Sequence, residues 1–195
     1  DNFLDLILPI GTNNDRIIIV GADIKNSNKQ ISLGKLGSDI TGYLNNKKIK
    51  VINIILERNN FSPKEVALLL LGLTLNTYRF NKYFSKESKK RANYLNKINI
   101  SYEDPSKVKN EWKRYNAIKE GVFFTRNLVS EPANNLTPLL LAKEALSLKK
   151  LGLKIELLDE KKLKGLKMGA LLGVAQGSAN KPYVVTLEWR GNKSK

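Results

Sequence analysis

The chain has 195 residues, of which 42% are hydrophobic and 27% charged, with a formal charge of +16 at pH 7; this composition allows a packed core and argues against global disorder. It contains no cysteine and no histidine, which removes thiol nucleophiles, disulfides, the Ser-His-Asp triad and thiolate or imidazole metal ligands. Chemistry is left to carboxylates, lysine, arginine, tyrosine and hydroxyls, and a metal site would need oxygen ligands with at most a lysine amine beside them.

The first residue is Asp1 rather than Met, so the start reads as trimmed or internal. "DNFLDLILPIG" places acids where a signal peptide needs basic residues. The longest apolar stretch, "VALLLLGLTL" at 66–75, is half of the ~20 residues a membrane-crossing helix needs. The expectation is a soluble, cytoplasmic protein with no membrane partner.

In chain order, "FLDLILPIG" (3–11) alternates and then stops, predicting a short strand and turn. "DRIIIVGAD" (15–23) has a branched apolar run between turn formers, as in a strand buried on both faces. "KQISLGKLGSDITGYL" (29–44) spaces Leu33, Leu36, Ile40 and Leu44 as a helix, which Gly34, Gly37 and Gly42 should weaken. "KKIKVINIILE" (47–57) returns to strand. "FSPKEVALLLLGLTLNTYRF" opens on a Ser62-x-x-Glu65 capping box with Pro63 at the first helical position, and its all-round apolar character predicts a buried helix ending near Tyr78. A strand follows at 96–102. Next comes a helix from about Ser106, with Val108, Trp112, Tyr115, Ile118, Val122 and Leu128 on one side.

"SEPANNLTP" (130–138) then interrupts the helical pattern. Pro132 disfavours continuation, Asn134 and Asn135 tolerate a turn, and Thr137-Pro138 can start a new helix to about Leu151, with Gly152 as its stop. "KIELLD" (154–159) reads as a strand whose last residue caps a short helix stopped at Gly169, and "KPYVVTLEW" (181–189) is a further strand. The order predicts an α/β layer, then a connecting helix, then the opening elements of a second α/β unit. From Pro138 onward the predicted elements are too few to enclose a core of their own.

Candidate sites are sparse. "VGADIKN" (20–26) is a strand end of the kind that meets phosphate or ribose in α/β folds, but GxGxxG and GxxxxGK[ST] are both missing, so it reads as a turn. "GALLGVAQGS" (169–178) could cradle an anion; its apolar content reads instead as closely packed backbone, with glycines supplying turns. The carboxylate pairs are Glu103/Asp104, Glu156/Asp159 and Asp159/Glu160, and Asp159 stands where the next helix needs its N-cap. Positive charge clusters at 86–91, 159–167 and 190–195. This permits a basic nucleic-acid-binding module, DNA included, although no aromatic ladder is read beside the clusters.

Two stretches carry a family resemblance. "RNLVSEPANNLTPLLLAKEA", followed by Met168-Gly169-Ala170-Leu171-Leu172-Gly173-Val174, Gln176-Gly177-Ser178 and Pro182, resembles the leucyl aminopeptidase (cytosol aminopeptidase) family from Arg126 to Gly191. In that family an R-x-L-V-N/S-E-P-A-N-x-L-T-P stretch marks entry into the catalytic domain. Upstream, Tyr78, Arg79, Phe80 and Tyr83 resemble its Y-R-F-x-x-Y pattern.

The resemblance implies a metal-dependent exopeptidase that removes N-terminal residues such as Leu from peptides. Two divalent ions, Mn²⁺ or Zn²⁺, would be held by carboxylates and one lysine, in a homohexamer. It also implies an N-terminal macrodomain-like α/β/α domain at 1–105, a connecting helix at 106–129 and the start of the catalytic domain at 130–195. The family's metal and catalytic residues lie on GKG-x-T-F-D-[ST]-G-G and N-T-D-A-E-G-R-L motifs, neither of which occurs within residues 1–195. No residue here is assigned a catalytic or metal role, and substrate-binding residues stay unassigned. The expectation is an inactive, self-associating fragment; ADP-ribose binding by the macrodomain-like half is disfavoured because no Gly-rich phosphate loop lies near Val20.

Overall fold

The computed structural model describes residues 3–11, 13–21, 29–56, 61–86 and 95–191, and it divides into two compact units, Asp1–Phe124 and Thr125–Lys195. Unit 1 contains β1 (Phe3–Ile7), β2 (Arg16–Val20), α1 (Lys29–Asn46), β3 (Val51–Ile55), α2 (Pro63–Leu75) and β4 (Lys97–Ser101). α3 (Pro105–Val129) begins in unit 1 and contains the division. Unit 2 adds α4 (Pro138–Ser147) with a 3₁₀ turn at Leu148–Leu151, β5 (Lys154–Leu158), α5 (Glu160–Gly165), α6 (Gly169–Ala175) and β6 (Val184–Glu188). The alternation of strands and helices makes this an α/β chain, as the hydrophobic periodicities predict.

The described strands pair two by two. β1 and β2 are antiparallel with Leu4 opposite Ile19, β3 and β4 are parallel with Ile52 opposite Ile98, and β5 and β6 are antiparallel with Ile155 opposite Leu187. In the parallel pair Ile52, Ile54, Ile98 and Ile100 share the covered face, whereas Asn53 and Asn99 share the exposed one. There the Asn99 amide donates to Asn53 Oδ1 at 2.7 Å, which gives two strand-averse residues a partner in register.

The core of unit 1 lies between α1 and α2. Ser62 Oγ accepts from Glu65 N, and Glu65 Oε2 accepts from Ser62 N at 2.8 Å, so the capping box forms as its spacing predicts. Val66, Ala67, Leu69 and Leu73 are buried along α2; Leu33 and Leu44 oppose them from α1. Fully burying a leucine is worth roughly 1.5–3 kcal/mol.

The glycines have a role that the helical pattern alone misses. A Cβ on Gly37 would be driven into Leu69 O and stand 2.7 Å from Leu73 N, and one on Gly72 would meet Gly34 O and stand 2.9 Å from Gly34 Cα. The two backbones therefore touch where these positions are bare. Thr41, wholly buried, lies in this seam with its hydroxyl donating to Leu73 O at 2.8 Å, and the Asn76 amide donates to Ser38 O at 2.7 Å.

The β1–β2 hairpin is fastened to α1 through one face. Phe3 stacks on Tyr43 with ring centroids 4.6 Å apart and planes within 1°. Tyr43 Oη donates to Asp5 Oδ2 at 2.8 Å, and Arg16 donates to both Asp5 oxygens, Nε at 2.6 Å. The other face, with Leu4, Leu6 and Ile19, is exposed. This corrects the expectation that β2 is buried on both sides: its branched residues serve a hairpin with one described partner strand and one covered face. Two further expectations shift. α2 stops at Leu75 with Asn76 as its cap, and Ile118 on α3 is exposed.

Gly37→Ala or Gly72→Ala should destabilise unit 1 by about 1–3 kcal/mol, because the added methyl meets backbone. By contrast, Gly34→Ala, whose Cβ meets nothing within 4 Å, should gain about 0.5–1 kcal/mol of helix propensity. Urea unfolding of the three variants checks the opposite signs.

The Arg16 hydrogen bonds, assisted by Tyr43, hold the Asp5 carboxyl down at about 2. A carboxyl depressed on folding stabilises the fold above its ordinary titration range, and that stability fades as the pH falls from about 4 toward about 2. Asp5→Asn should flatten this acid limb in unfolding midpoints measured against pH.

Candidate functional site

The stretch from Ser130 to Pro138 links α3 to α4 through a closely bonded turn. Ser130 N still donates to Arg126 O at 3.0 Å and Glu131 N to Leu128 O at 3.2 Å, closing the last turn of α3. Pro132, which cannot donate, then presents its carbonyl as a double acceptor: Asn135 N and Leu136 N both reach Pro132 O at 2.9 Å. The Asn135 side-chain amide donates to Glu131 Oε2 at 2.8 Å, bracing the turn from outside. Thr137 Oγ1 accepts from Leu140 N and Thr137 O from Leu141 N, so Thr137 caps α4 with Pro138 at its first position. The sequence predicts this cap and the proline stop; the brace between Glu131 and Asn135 it does not.

Past α4 the chain stops at Gly152, whose φ of 89° is the left-handed conformation that glycine accommodates without strain. α4 packs on β5 and β6. Ala142, Ile155 and Leu163 are the buried apolar residues of this unit, while Leu166, Val174 and Trp189 are exposed.

Each acidic pair singled out in the sequence turns out to be committed to local structure. Asp159 Oδ1 accepts from Lys162 N at 2.9 Å, the N-cap of α5. Glu160 pairs with Lys164 one turn on at 2.7 Å, and that hydrogen bond lowers its carboxyl below the ordinary range. Glu156 lies 3.5 Å from Lys162 Nζ in an exposed pair. Asp104 accepts from Ser106 N and Oγ at the start of α3, and the Ser106 bond likewise lowers it, with help from Lys107. Glu103 does not join these into a cluster.

Among the described residues no group of three or more acidic, histidine or cysteine side chains is placed to hold a metal ion. The cation pair implied by the family resemblance does not fit these residues, and no chemical step is assigned through it. Two other candidates resolve differently. Residues 22–26 of the "VGADIKN" stretch lie outside the described residues. "GALLGVAQGS" forms α6 and an exposed turn; a Cβ at Gly169 or Gly173 meets nothing within 4 Å, which corrects the expectation of closely packed backbone.

With the geometry in place, the chain can be set beside known proteins. A family model for the cytosol aminopeptidase family, catalytic domain, matches residues 123–195. A probable cytosol aminopeptidase of Brucella anthropi is 38% identical over 184 residues, covering 93% of this chain and 37% of that protein. One from Rhodopseudomonas palustris is 35% identical over 192 residues, 97% of this chain and 38% of the relative. The chain thus spans less than two-fifths of the length of these relatives.

Among solved structures, a tomato leucine aminopeptidase mutant superposes with a TM-score of 0.75 at 23% identity, over 98% of this chain and 39% of that one. The bottromycin maturation enzyme BotP in complex with Mn gives 0.75 at 18%, over 95% and 38%. The fold is therefore the mixed α/β fold found in leucine aminopeptidase structures. The chain belongs to the leucyl aminopeptidase (cytosol aminopeptidase) family.

If Asp159 is a cap, Asp159→Ala should cost about 1 kcal/mol while Asp159→Asn, which can still accept, should cost only a few tenths. Neither should change the response of the unfolding midpoint to Mn²⁺.

Proposed function

We propose that this chain forms the N-terminal part of a metal-dependent leucyl aminopeptidase that releases N-terminal amino acids from peptides. Residues 1–105 would form a macrodomain-like α/β domain, 106–129 a connecting helix and 130–195 the first elements of the catalytic domain. The carrying observation is the 38% identity that runs through 93% of the chain, with the catalytic-domain match confined to 123–195. The BotP structure was solved with Mn, and on this reading manganese or zinc serves the whole enzyme as a pair of ions. A homohexameric, cytoplasmic assembly completes the proposal. No helix among the described residues is long and apolar enough to cross a membrane.

The role assigned to these residues is architectural. The Ser130–Pro138 turn carries the chain from α3 into the α4–β5–β6 layer, and its internal hydrogen bonds fix where α4 starts. Among the described residues no three acidic side chains lie together, whereas a cation pair needs several oxygen ligands around ions ~4 Å apart.

The 195-residue polypeptide should therefore show no turnover of Leu-p-nitroanilide with Mn²⁺ present. Release of p-nitroaniline above the no-enzyme rate by the purified chain would refute this reading.

A further inference from the structure

β4 hands over to α3 through Tyr102, Glu103 and Asp104, and α3 starts at Pro105. Of the six prolines in the chain, Pro105 is the one that follows an aspartate. An aspartyl–prolyl bond carries its own nucleophile. A carboxylate oxygen of the aspartate reaches its own backbone carbonyl carbon through a five-membered ring, and the proline nitrogen leaves readily once protonated. Glu131–Pro132 offers a comparison in the same chain, but a glutamate there has to close a larger ring.

In the folded chain the Asp104 carboxylate is engaged elsewhere. Ser106 N donates to Oδ1 at 3.1 Å, Ser106 Oγ donates to the same oxygen at 2.5 Å, and Lys107 Nζ stands 3.4 Å from Oδ2. Both oxygens are thus drawn forward onto the first turn of α3, where Lys107 faces them; Glu103 is the adjoining charge in the chain. The Ser106 bond, with help from Lys107, holds the carboxyl below its ordinary range. Attack and departure consume one proton between them, so a lowered carboxyl delays the reaction to more acid conditions. Tyr102 Oη, donating to Phe61 O at 2.6 Å, anchors the chain before the bond, and buried Val108 and Tyr115 anchor it after. The Asp104 side chain is 42% exposed, so water reaches the site.

We propose that Asp104–Pro105 is a latent self-cleavage site, with Asp104 as the nucleophile and its hydrogen bonds to Ser106 as the catch that acid or unfolding releases. In the step, one carboxyl oxygen of Asp104 bonds to the Asp104 carbonyl carbon. The bond from that carbon to Pro105 N breaks, and the nitrogen departs as a protonated amine. Water then opens the cyclic anhydride and leaves Asp104 with two carboxyl groups. The products are residues 1–104 and 105–195. The cut falls where the proposed N-terminal domain gives way to the connecting helix, so on the aminopeptidase reading it detaches that domain. The cleavage itself does not depend on that reading.

The test is mass spectrometry of the purified 195-residue chain after incubation at the lowest pH at which circular dichroism still shows it folded. A parallel arm contains urea at the same pH. Fragments 1–104 and 105–195 should form in both arms, faster in urea, while Glu131–Pro132 stays intact. Ser106→Ala should speed the cut in the folded chain about five-fold, as expected for one lost hydrogen bond. It should also raise the pH at which cutting sets in, and leave the rate in urea unchanged. Lys107→Gln serves in the folded arm if Ser106→Ala loses structure. Asp104→Asn should stop the cut in both arms, and Asp104→Glu should slow it about ten-fold or more. Cutting of Asp104→Asn at the parent's rate overturns the proposal, as does a folded Ser106→Ala that is cut no faster than the parent. A parent cut as fast when folded as in urea overturns it too, and so does the absence of both fragments in urea. The p-nitroanilide assay reads the peptidase proposal separately.

Discussion

The backbone contact between α1 and α2 organises unit 1. Helix axes normally stay 8–10 Å apart because side chains intervene; here Gly37 and Gly72 remove them, and carbonyl and amide groups of one helix meet the other directly. Such proximity leaves no room for water, so the polar groups in the seam must satisfy one another. Thr41 and Asn76 do this by donating to carbonyls across the contact. No buried side-chain nitrogen or oxygen among the described residues lacks a hydrogen-bond partner. The hairpin then depends on the same helix, because its aromatic and ionic anchors all converge on Tyr43.

What could be read from the sequence was local. The capping box at Ser62, the Thr137-Pro138 start, the Gly152 stop and the Asp159 cap each rest on contacts within a few residues, and each appears where its spacing places it. What could not be read was set by partners distant in the chain. Gly37 looks like a helix-weakening residue until Leu69 and Leu73 arrive beside it. "RIIIV" looks like an interior strand until its pairing with β1 leaves Ile19 facing outward. Asp5 and Arg16, eleven positions apart, show no periodic pattern that announces their pairing.

The functional assignment follows the same division. The family is legible because "SEPANNLTP" and "MGALLGV" are contiguous strings, and the structure supplies a reason for the first: Pro132 O, Glu131 and Asn135 form one closed turn. A metal site is assembled from residues scattered along a chain, whereas Asp159, Glu160 and Asp104 are each engaged by a neighbour within a few positions.

The contacts between α1 and α2 climb together along both helices: Lys29 with Glu65, Gly37 with Leu69 and Leu73, Ser38 with Asn76. The two helices therefore point the same way, and their partial positive charges accumulate at one end. Side by side and nearly in van der Waals contact, two such aligned dipoles repel. Glu65, in the first turn of α2 and also 2.6 Å from Lys29 Nζ, puts an anion at that shared pole. Its carboxylate thus caps the start of α2 and neutralises the cation that Lys29 carries at the start of α1, so the glycine seam closes without added positive charge where the two poles meet.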